Sequence, residues 1–145
     1  MDDATYEMPP RAGFTVAHFL TVADVDRSAR FYETVFGARI RSRGNDVGAP
    51  GYIQLANTWI IVYYGGGPTP DKPSVTLRLP DPDAVNSFMN IRVADIQACY
   101  ALWRERGAEF LSAPIEKAGE TCCYLRDADG HLIEVGESKP GVLYG

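Results

Sequence analysis

Two stretches of the chain share one pattern of apolar and polar residues. Each begins with a short alternating run, residues 18–21 and 89–92, which predicts a strand. A Val-Ala-Asp-Val or Val-Ala-Asp-Ile segment follows, and apolar residues then recur every three or four positions, which predicts a helix with one apolar face. Asp24 and Asp95 stand at the predicted N-caps, where a carboxylate accepts from free backbone N–H groups and opposes the helix dipole. The chain is therefore built around a repeated strand–Asp–helix unit.

Further strand patterns follow each predicted helix. The first predicted module has a helix at 24–36 and strands at 14–23, 38–41, 52–55 and 59–64. The second predicted module has a helix at 95–106 and strands at 88–94, 108–111, 121–126 and 132–135. Each module reads βαβββ, so the predicted fold class is α+β. One helix covers only one face of a four-stranded sheet, so we expect the two modules to bury surface together.

Proline and glycine mark the segments between these elements. Three glycines and a proline predict a loop over 44–51, and the turn 127–130 places Gly130 where a positive φ is needed. A proline-rich stretch contains an alternating run at 75–79 that predicts a short edge strand. The predicted organisation is one domain with an irregular arm (1–13), a first module (14–67), a connection (68–86), a second module (87–137) and a tail (138–145).

Composition and charge narrow the classes of partner. The net charge of −5 argues against nucleic-acid binding by phosphate neutralisation. No apolar run has the length of a membrane span, and the acidic N-terminus lacks the apolar core of a signal peptide, so we expect no membrane partner. The three cysteines, Cys99, Cys122 and Cys123, do not form a disulfide framework. We therefore expect a cytoplasmic protein.

Three motifs carry a resemblance to a known family. They are Thr-Val-Ala-Asp-Val-Asp-Arg-Ser at 21–28, Arg-Val-Ala-Asp-Ile at 92–96 and Asp-Ala-Asp-Gly-His-Leu-Ile-Glu-Val at 127–135. Phe31-Tyr32, Phe36-Gly37 and Arg106-Gly107-Ala108 extend the first two. Together they resemble the vicinal oxygen chelate superfamily, which includes glyoxalase I, extradiol dioxygenases, fosfomycin-resistance enzymes and bleomycin-resistance binding proteins. The resemblance covers about residues 14–137 and implies paired βαβββ modules that form a curved mixed sheet around a cup, with helices outside.

The resemblance also implies where metal ligands would lie. Family enzymes place a histidine seven residues before each capping aspartate and a glutamate on each last strand. In this chain Ala17 and Phe88 occupy the two histidine positions. Glu134 is the one residue at a family ligand position that could still bind a metal. Since a catalytic divalent metal needs about three protein ligands, we expect no metal and no other cofactor.

Strand alternation predicts which side chains line the cup. The lining is rich in aromatic groups with a few polar ones, which is typical of a pocket for a flat or apolar molecule. The predicted ligand-binding residues are Phe19, Thr21, Trp59, Ile61, Tyr63, Phe88, Asn90, Arg92, Leu132 and Glu134. Arg92 and Glu134 either pair with each other or contact the ligand. Trp59 and Phe88 fit a core between the modules equally well, whereas Tyr63 and Asn90 favour the pocket because their polar atoms need partners.

Two functions remain open. The first is a non-catalytic binder that sequesters an apolar or aromatic small molecule such as an antibiotic, as the bleomycin-resistance branch does. The alternative is a metal-dependent lyase, isomerase or dioxygenase in which His18 and Glu134 bind Fe, Mn, Zn or Ni. That site requires a bulge in the first strand to turn His18 towards the cup. In a metal-free enzyme, Glu134 would be the general base. We expect a homodimer in either case.

Overall fold

The structure, a computed structural model, describes residues 7–45 and 47–141. The predictions for residues 1–6 of the arm, for Asp46 in the glycine-rich loop and for the last four residues of the tail lie outside these ranges. The chain divides into two compact units, residues 1–79 and 80–145. Each unit contains one helix and one mixed sheet, so the predicted α+β class is confirmed.

The first unit has the predicted βαβββ order. Its elements are β1 (Ala17–Thr21), α1 (Val25–Phe36), β2 (Arg39–Ser42), β3 (Gly51–Leu55) and β4 (Thr58–Tyr63). The strands lie in the order β1-β4-β3-β2, with β1 parallel to β4 and the other pairs antiparallel. β1 is shorter than predicted, because the exposed residues Phe14 and Val16 precede it.

Both ends of α1 follow from its sequence. Asp24 is the N-cap, and its Oδ1 accepts from the backbone N–H of Arg27 at 3.0 Å. Gly37 ends the helix in the left-handed conformation with φ 72°, which a residue with a side chain adopts only with strain. Between these caps, the residues at helical spacing that bury α1 in the unit are Val25, Ala29, Tyr32 and Val35.

One polar side chain interrupts this buried face of α1. Ser28 is fully buried, and its Oγ has no hydrogen-bond partner among the described residues. Ser28→Ala should therefore raise the free energy of unfolding by about 1 to 2 kcal/mol, because it removes an unsatisfied hydroxyl and improves helix propensity. Thr34→Ala, at an exposed position of the same helix, controls for propensity alone. Urea unfolding in which Ser28→Ala gains no more stability than Thr34→Ala would contradict this expectation.

The second unit repeats the order with one added strand. Its elements are β5 (Met89–Arg92), α2 (Ile96–Glu105), β6 (Glu109–Phe110), β7 (Ile115–Glu116), β8 (Glu120–Arg126) and β9 (Leu132–Ser138). The path is β5-β9-β8-β6, and β7 also pairs with β8. Asp95 caps α2 through the N–H of Ala98 at 3.0 Å. Within the described residues, neither α1 nor α2 is long and apolar enough to cross a membrane.

The turn between β8 and β9 forms as its sequence predicts. Gly130 has φ +95°, and Asp127 Oδ1 accepts from the backbone N–H groups of Asp129 at 3.0 Å and His131 at 2.9 Å. These bonds fix the register in which β9 returns along β8.

Two predictions about strands were wrong. Residues 75–79 do not form an edge strand, since only Leu77 makes an isolated bridge, to Gly66, and the prolines at 73 and 80 limit further pairing. Conversely, β7 lies in a segment predicted as a loop. A tight turn in which Lys117 N donates to the Glu120 carbonyl at 2.7 Å brings β7 back against β8.

Candidate functional site

The register of the first sheet assigns its two faces. Leu20 pairs with Val62, and the fully buried Ile60 shares their face. This face packs on α1, because a Cβ built at Gly51, opposite Val62, would lie 3.1 Å from Val25 Cγ1. We call the opposite side of the sheet the first open face. Its residues on β1, β3 and β4 are Ala17, Phe19, Thr21, Tyr52, Gln54, Trp59, Ile61 and Tyr63.

A cavity of about 860 Å³ opens on the first open face. The lining residues come from β2, β3, β4 and the arm, and they are Glu7, Met8, Pro9, Arg11, Arg41, Ser42, Tyr52, Gln54 and Trp59. Trp59 is only 4% exposed although it lies on the face opposite α1. Since Trp59 and Tyr52 both line the cavity, the first unit contains a concave site with aromatic residues in its lining.

Polar contacts organise the edge of this cavity. Arg41 Nη1 donates to Gln54 Oε1 at 3.3 Å, and Gln54 is buried. In the arm, Arg11 Nε lies 3.2 Å from Glu7 Oε2, and the Glu7 carbonyl accepts from Thr15 Oγ1 at 2.8 Å. The cavity is thus bordered by two guanidinium groups and one carboxylate, and that carboxylate already has a cationic partner.

Tyr63 anchors the glycine-rich loop to the first open face. Its hydroxyl accepts from Gly48 N at 2.7 Å, and its ring centroid lies 5.1 Å from that of Tyr64. The polar atom that favoured a pocket role for Tyr63 therefore has a partner within the protein.

His18 does not share the first open face. It pairs with Ile60, and the five pairs from Ala17 to Thr21 run without a register shift. The bulge that the metal-dependent alternative requires is not present in β1. His18 therefore lies on the α1 side of the sheet with Leu20.

The second sheet also has two distinct faces. Ile133 and Val135 are buried on the side of α2, where Glu137 Oε1 accepts from Ile96 N at 2.9 Å. Opposite them is the second open face, whose residues follow from alternation and the pairing of β5, β8 and β9. They are Phe88, Asn90, Arg92, Glu120, Cys122, Tyr124, Arg126, Leu132, Glu134, Gly136 and Ser138.

The polar residues of the second open face pair among themselves. Glu134 Oε1 accepts from Asn90 Nδ2 at 2.6 Å. Arg92 lies 3.0 Å from Glu120 Oε1 and donates to Ser138 Oγ at 2.8 Å. The suggested Arg92–Glu134 pair is therefore wrong, because Glu120 on β8 takes the guanidinium. Gly136 permits this arrangement, since a Cβ there would collide with Arg92.

Aromatic residues border these polar groups. The rings of Phe88 and Tyr124 meet edge to face, with centroids 5.7 Å apart. Burial, and then the nearby Glu134 carboxylate, raise the pKa of Tyr124. Leu132 is half-buried on the same face. All five residues predicted from the second module thus lie on the second open face.

Three possible metal donors meet on the second open face. Ligand atoms of Glu120, Cys122 and Glu134 lie within 4.8 Å of one another. Each donor has a partner already. Glu120 faces Arg92, and Glu134 accepts a hydrogen bond from Asn90. The partner of Cys122 is Lys117, whose pKa is raised by a hydrogen bond with Cys122. A guanidinium and an ammonium group beside the donors disfavour a divalent cation electrostatically. These residues therefore fit a metal ion poorly.

The adjacent cysteine belongs to the other face. Cys123 pairs with Val135, whereas Cys122 pairs with Gly136, so the two thiols point to opposite sides of β8. Burial first, and then Cys122 and Glu134, raise the pKa of Cys123 to about 11. Cys123 is therefore a neutral core thiol near neutral pH rather than a nucleophile.

Sequence reasoning missed several residues on the two open faces. Tyr52, Gln54 and Arg41 line the cavity, and Glu120 and Cys122 lie beside Glu134. Applying alternation to β3 and β8 would have placed Tyr52, Gln54, Glu120 and Cys122.

Comparisons with known proteins agree with this fold. The sequence matches the model of the Glyoxalase/Bleomycin resistance protein/Dioxygenase superfamily over residues 15–135. A search of the curated proteins found no match. A glyoxylase/bleomycin resistance protein/dioxygenase domain from Frankia sp. EAN1pec is similar, with a TM-score of 0.66 and 22% identity over 90% of this chain and 96% of that chain.

Two similar structures carry functional descriptions of their own. TnmS3, an antibiotic binding protein from Streptomyces sp. CB03234, has a TM-score of 0.64 and 19% identity over 89% of this chain and 98% of that chain. FosX, a fosfomycin resistance protein from Listeria monocytogenes, has a TM-score of 0.65 and 15% identity over 89% of this chain and 96% of that chain. At these identities the likeness shows the fold. Since the family model spans most of the sequence, the chain belongs to the Glyoxalase/Bleomycin resistance protein/Dioxygenase superfamily.

Proposed function

We propose that this protein binds and sequesters an apolar or aromatic small molecule, such as an antibiotic, without using a metal. The observation that carries the proposal is the cavity on the first open face, walled by Trp59 and Tyr52. Its volume of about 860 Å³ is in the range of pockets that enclose drug-sized ligands. Aromatic walls with a few polar groups favour binding by contact and stacking.

The chemistry of the donor positions supports a role that does not depend on metal. Ala17 and Phe88, at the positions where the family resemblance implies histidine ligands, carry no donor atom.

Within the superfamily, TnmS3 is described as an antibiotic binding protein and FosX as a fosfomycin resistance protein. Both descriptions are consistent with a resistance or self-protection role for this chain.

A metal-dependent enzyme is the second candidate. The observation in its favour is the proximity of Glu120, Cys122 and Glu134 on the second open face. In that case Fe, Mn, Zn or Ni would have to displace Arg92 and Asn90 from the two carboxylates. A metal site with His18 and Glu134 as its ligands would need a bulge in β1, and β1 has none.

Two further expectations remain predictions. A homodimer remains expected, since two-fold dimers are the commonest soluble oligomers. A cytoplasmic location agrees with three free cysteines, two of them buried.

A titration of purified protein, stripped of metal by a chelator, with a panel of aromatic antibiotics tests the proposal. We expect at least one compound to bind with one site per chain and a Kd of roughly micromolar or tighter. Mass spectrometry should recover that compound unchanged after incubation. Conversion of a compound only after Fe, Mn, Zn or Ni is added would support the enzyme instead. Failure of every compound to bind would count against sequestration.

A further inference from the structure

We infer that the cavity on the first open face selects aromatic acids, with the anionic group of the ligand on Arg41 and its ring against Trp59 and Tyr52. This inference rests on the proposed function and names the ligand class. Arg41 on β2 and Tyr52 on β3 join Trp59 on β4, which strand alternation already predicts as a ligand-binding residue.

Arg41 has no carboxylate partner among the described residues. In the described part of the chain its guanidinium forms one hydrogen bond, to Gln54 Oε1 at 3.3 Å, and it makes no ion pair. Two other arginines of this unit are paired, since Arg43 lies 2.8 Å and Arg30 2.9 Å from Asp26 carboxylate oxygens. A guanidinium presents a planar array of donors that matches a carboxylate. Arg41 is thus an available anion-binding group on the cavity wall.

Gln54 positions that group. It is buried and lies opposite Trp59 on β4, and its Oε1 accepts from Arg41 Nη1. A guanidinium held by a buried amide loses less side-chain freedom when a ligand binds. The same contact brings the cationic group close to the aromatic wall, so one ligand can reach both.

The charges around the cavity also favour an anionic ligand. Glu7 is the lining residue that would repel a carboxylate, but Arg11 neutralises it at 3.2 Å. Arg41 then leaves the lining with an excess positive charge. A neutral aromatic ligand would cover Arg41 without providing an acceptor, and covering an unpaired cation is costly. An aromatic acid satisfies the cation and the aromatic wall together.

Calorimetry with matched probes tests this selectivity. The acids are naphthalene-2-carboxylate and anthracene-9-carboxylate, and each has a neutral counterpart in which a hydroxymethyl group replaces the carboxylate. We expect at least one acid to bind about tenfold or more tightly than its alcohol, as one charge-assisted contact provides. Arg41→Gln should remove this difference by lowering the affinity for the acid about tenfold, because the charge-assisted contact is lost. An unchanged circular dichroism spectrum checks that the variant keeps its fold.

Arg43→Gln is the matched control. It makes the same charge change two residues away, at a side chain that pairs with Asp26 and does not line the cavity. It should keep the preference for the acid. Equal affinities for acid and alcohol, unchanged acid affinity in Arg41→Gln, or no binding of either acid would each overturn the inference. The proposed function would then still be decided separately by the antibiotic panel.

Discussion

Trp59→Ala should reduce ligand affinity by at least about thirtyfold and destabilise the protein by about 3 to 5 kcal/mol. Both effects have one cause, because Trp59 is 4% exposed and lines the cavity. Its removal therefore takes away a core side chain and the aromatic wall together. Urea unfolding measures the first effect, and calorimetry with the best compound from the antibiotic panel measures the second.

The second tryptophan separates these two effects. Trp103 is also buried, but it lies on α2 of the second unit. Trp103→Ala should cost comparable stability and leave ligand affinity unchanged. The milder variants Trp59→Phe and Trp103→Phe keep the fold and isolate one fluorophore each. Ligand should quench the fluorescence of Trp103→Phe, in which Trp59 remains. Equal quenching in Trp59→Phe would contradict the assignment of the cavity.

Gly65→Ala should destabilise the protein by about 1 to 3 kcal/mol, the range of an overpacked core. A Cβ at Gly65 would collide with the carbonyl oxygen of Leu77 and would lie 2.9 Å from Thr21 Cγ2. Neither neighbour yields easily. Gly66 holds Leu77 through two backbone hydrogen bonds of 2.9 Å, and Thr21 belongs to β1.

The adjacent glycine is the control for this substitution. A Cβ at Gly66 would meet nothing within 4 Å, so Gly66→Ala should change stability by no more than about 0.5 kcal/mol. The comparison of urea midpoints therefore isolates the close approach at Gly65 from the general effect of replacing glycine. Similar midpoints for the two variants would contradict the packing described for Thr21 and Leu77.

Much of the fold could be predicted from short-range patterns in the sequence. The N-cap roles of Asp24 and Asp95 and the turn at Gly130 depend on residues within four positions, so the sequence was sufficient to predict them. Alternation was also sufficient for the faces of β1 and β4. Phe19 and Thr21 share a face with Ile61 and the other predicted residues of β4, since the period of a strand is two residues.

The place of Arg41 and the partner of Arg92 depend on long-range pairing. The register of β2 against β3 shifts between Ile40 and Ser42, so alternation along β2 alone does not fix the place of Arg41. The partner of Arg92 likewise depends on the order β5-β9-β8, which brings Glu120 within 3.0 Å. Strand order and register come from contacts far apart in sequence, and periodicity within one strand carries no information about them.

Binding without a metal is tested most directly by one calorimetric titration, performed before and after metal removal with the tightest-binding compound of the panel. We expect the same affinity and one ligand per chain in both titrations, because Trp59 and Tyr52 supply the contacts that bind it. Loss of binding after chelation, with recovery when Fe, Mn, Zn or Ni is restored, would contradict sequestration by contact alone.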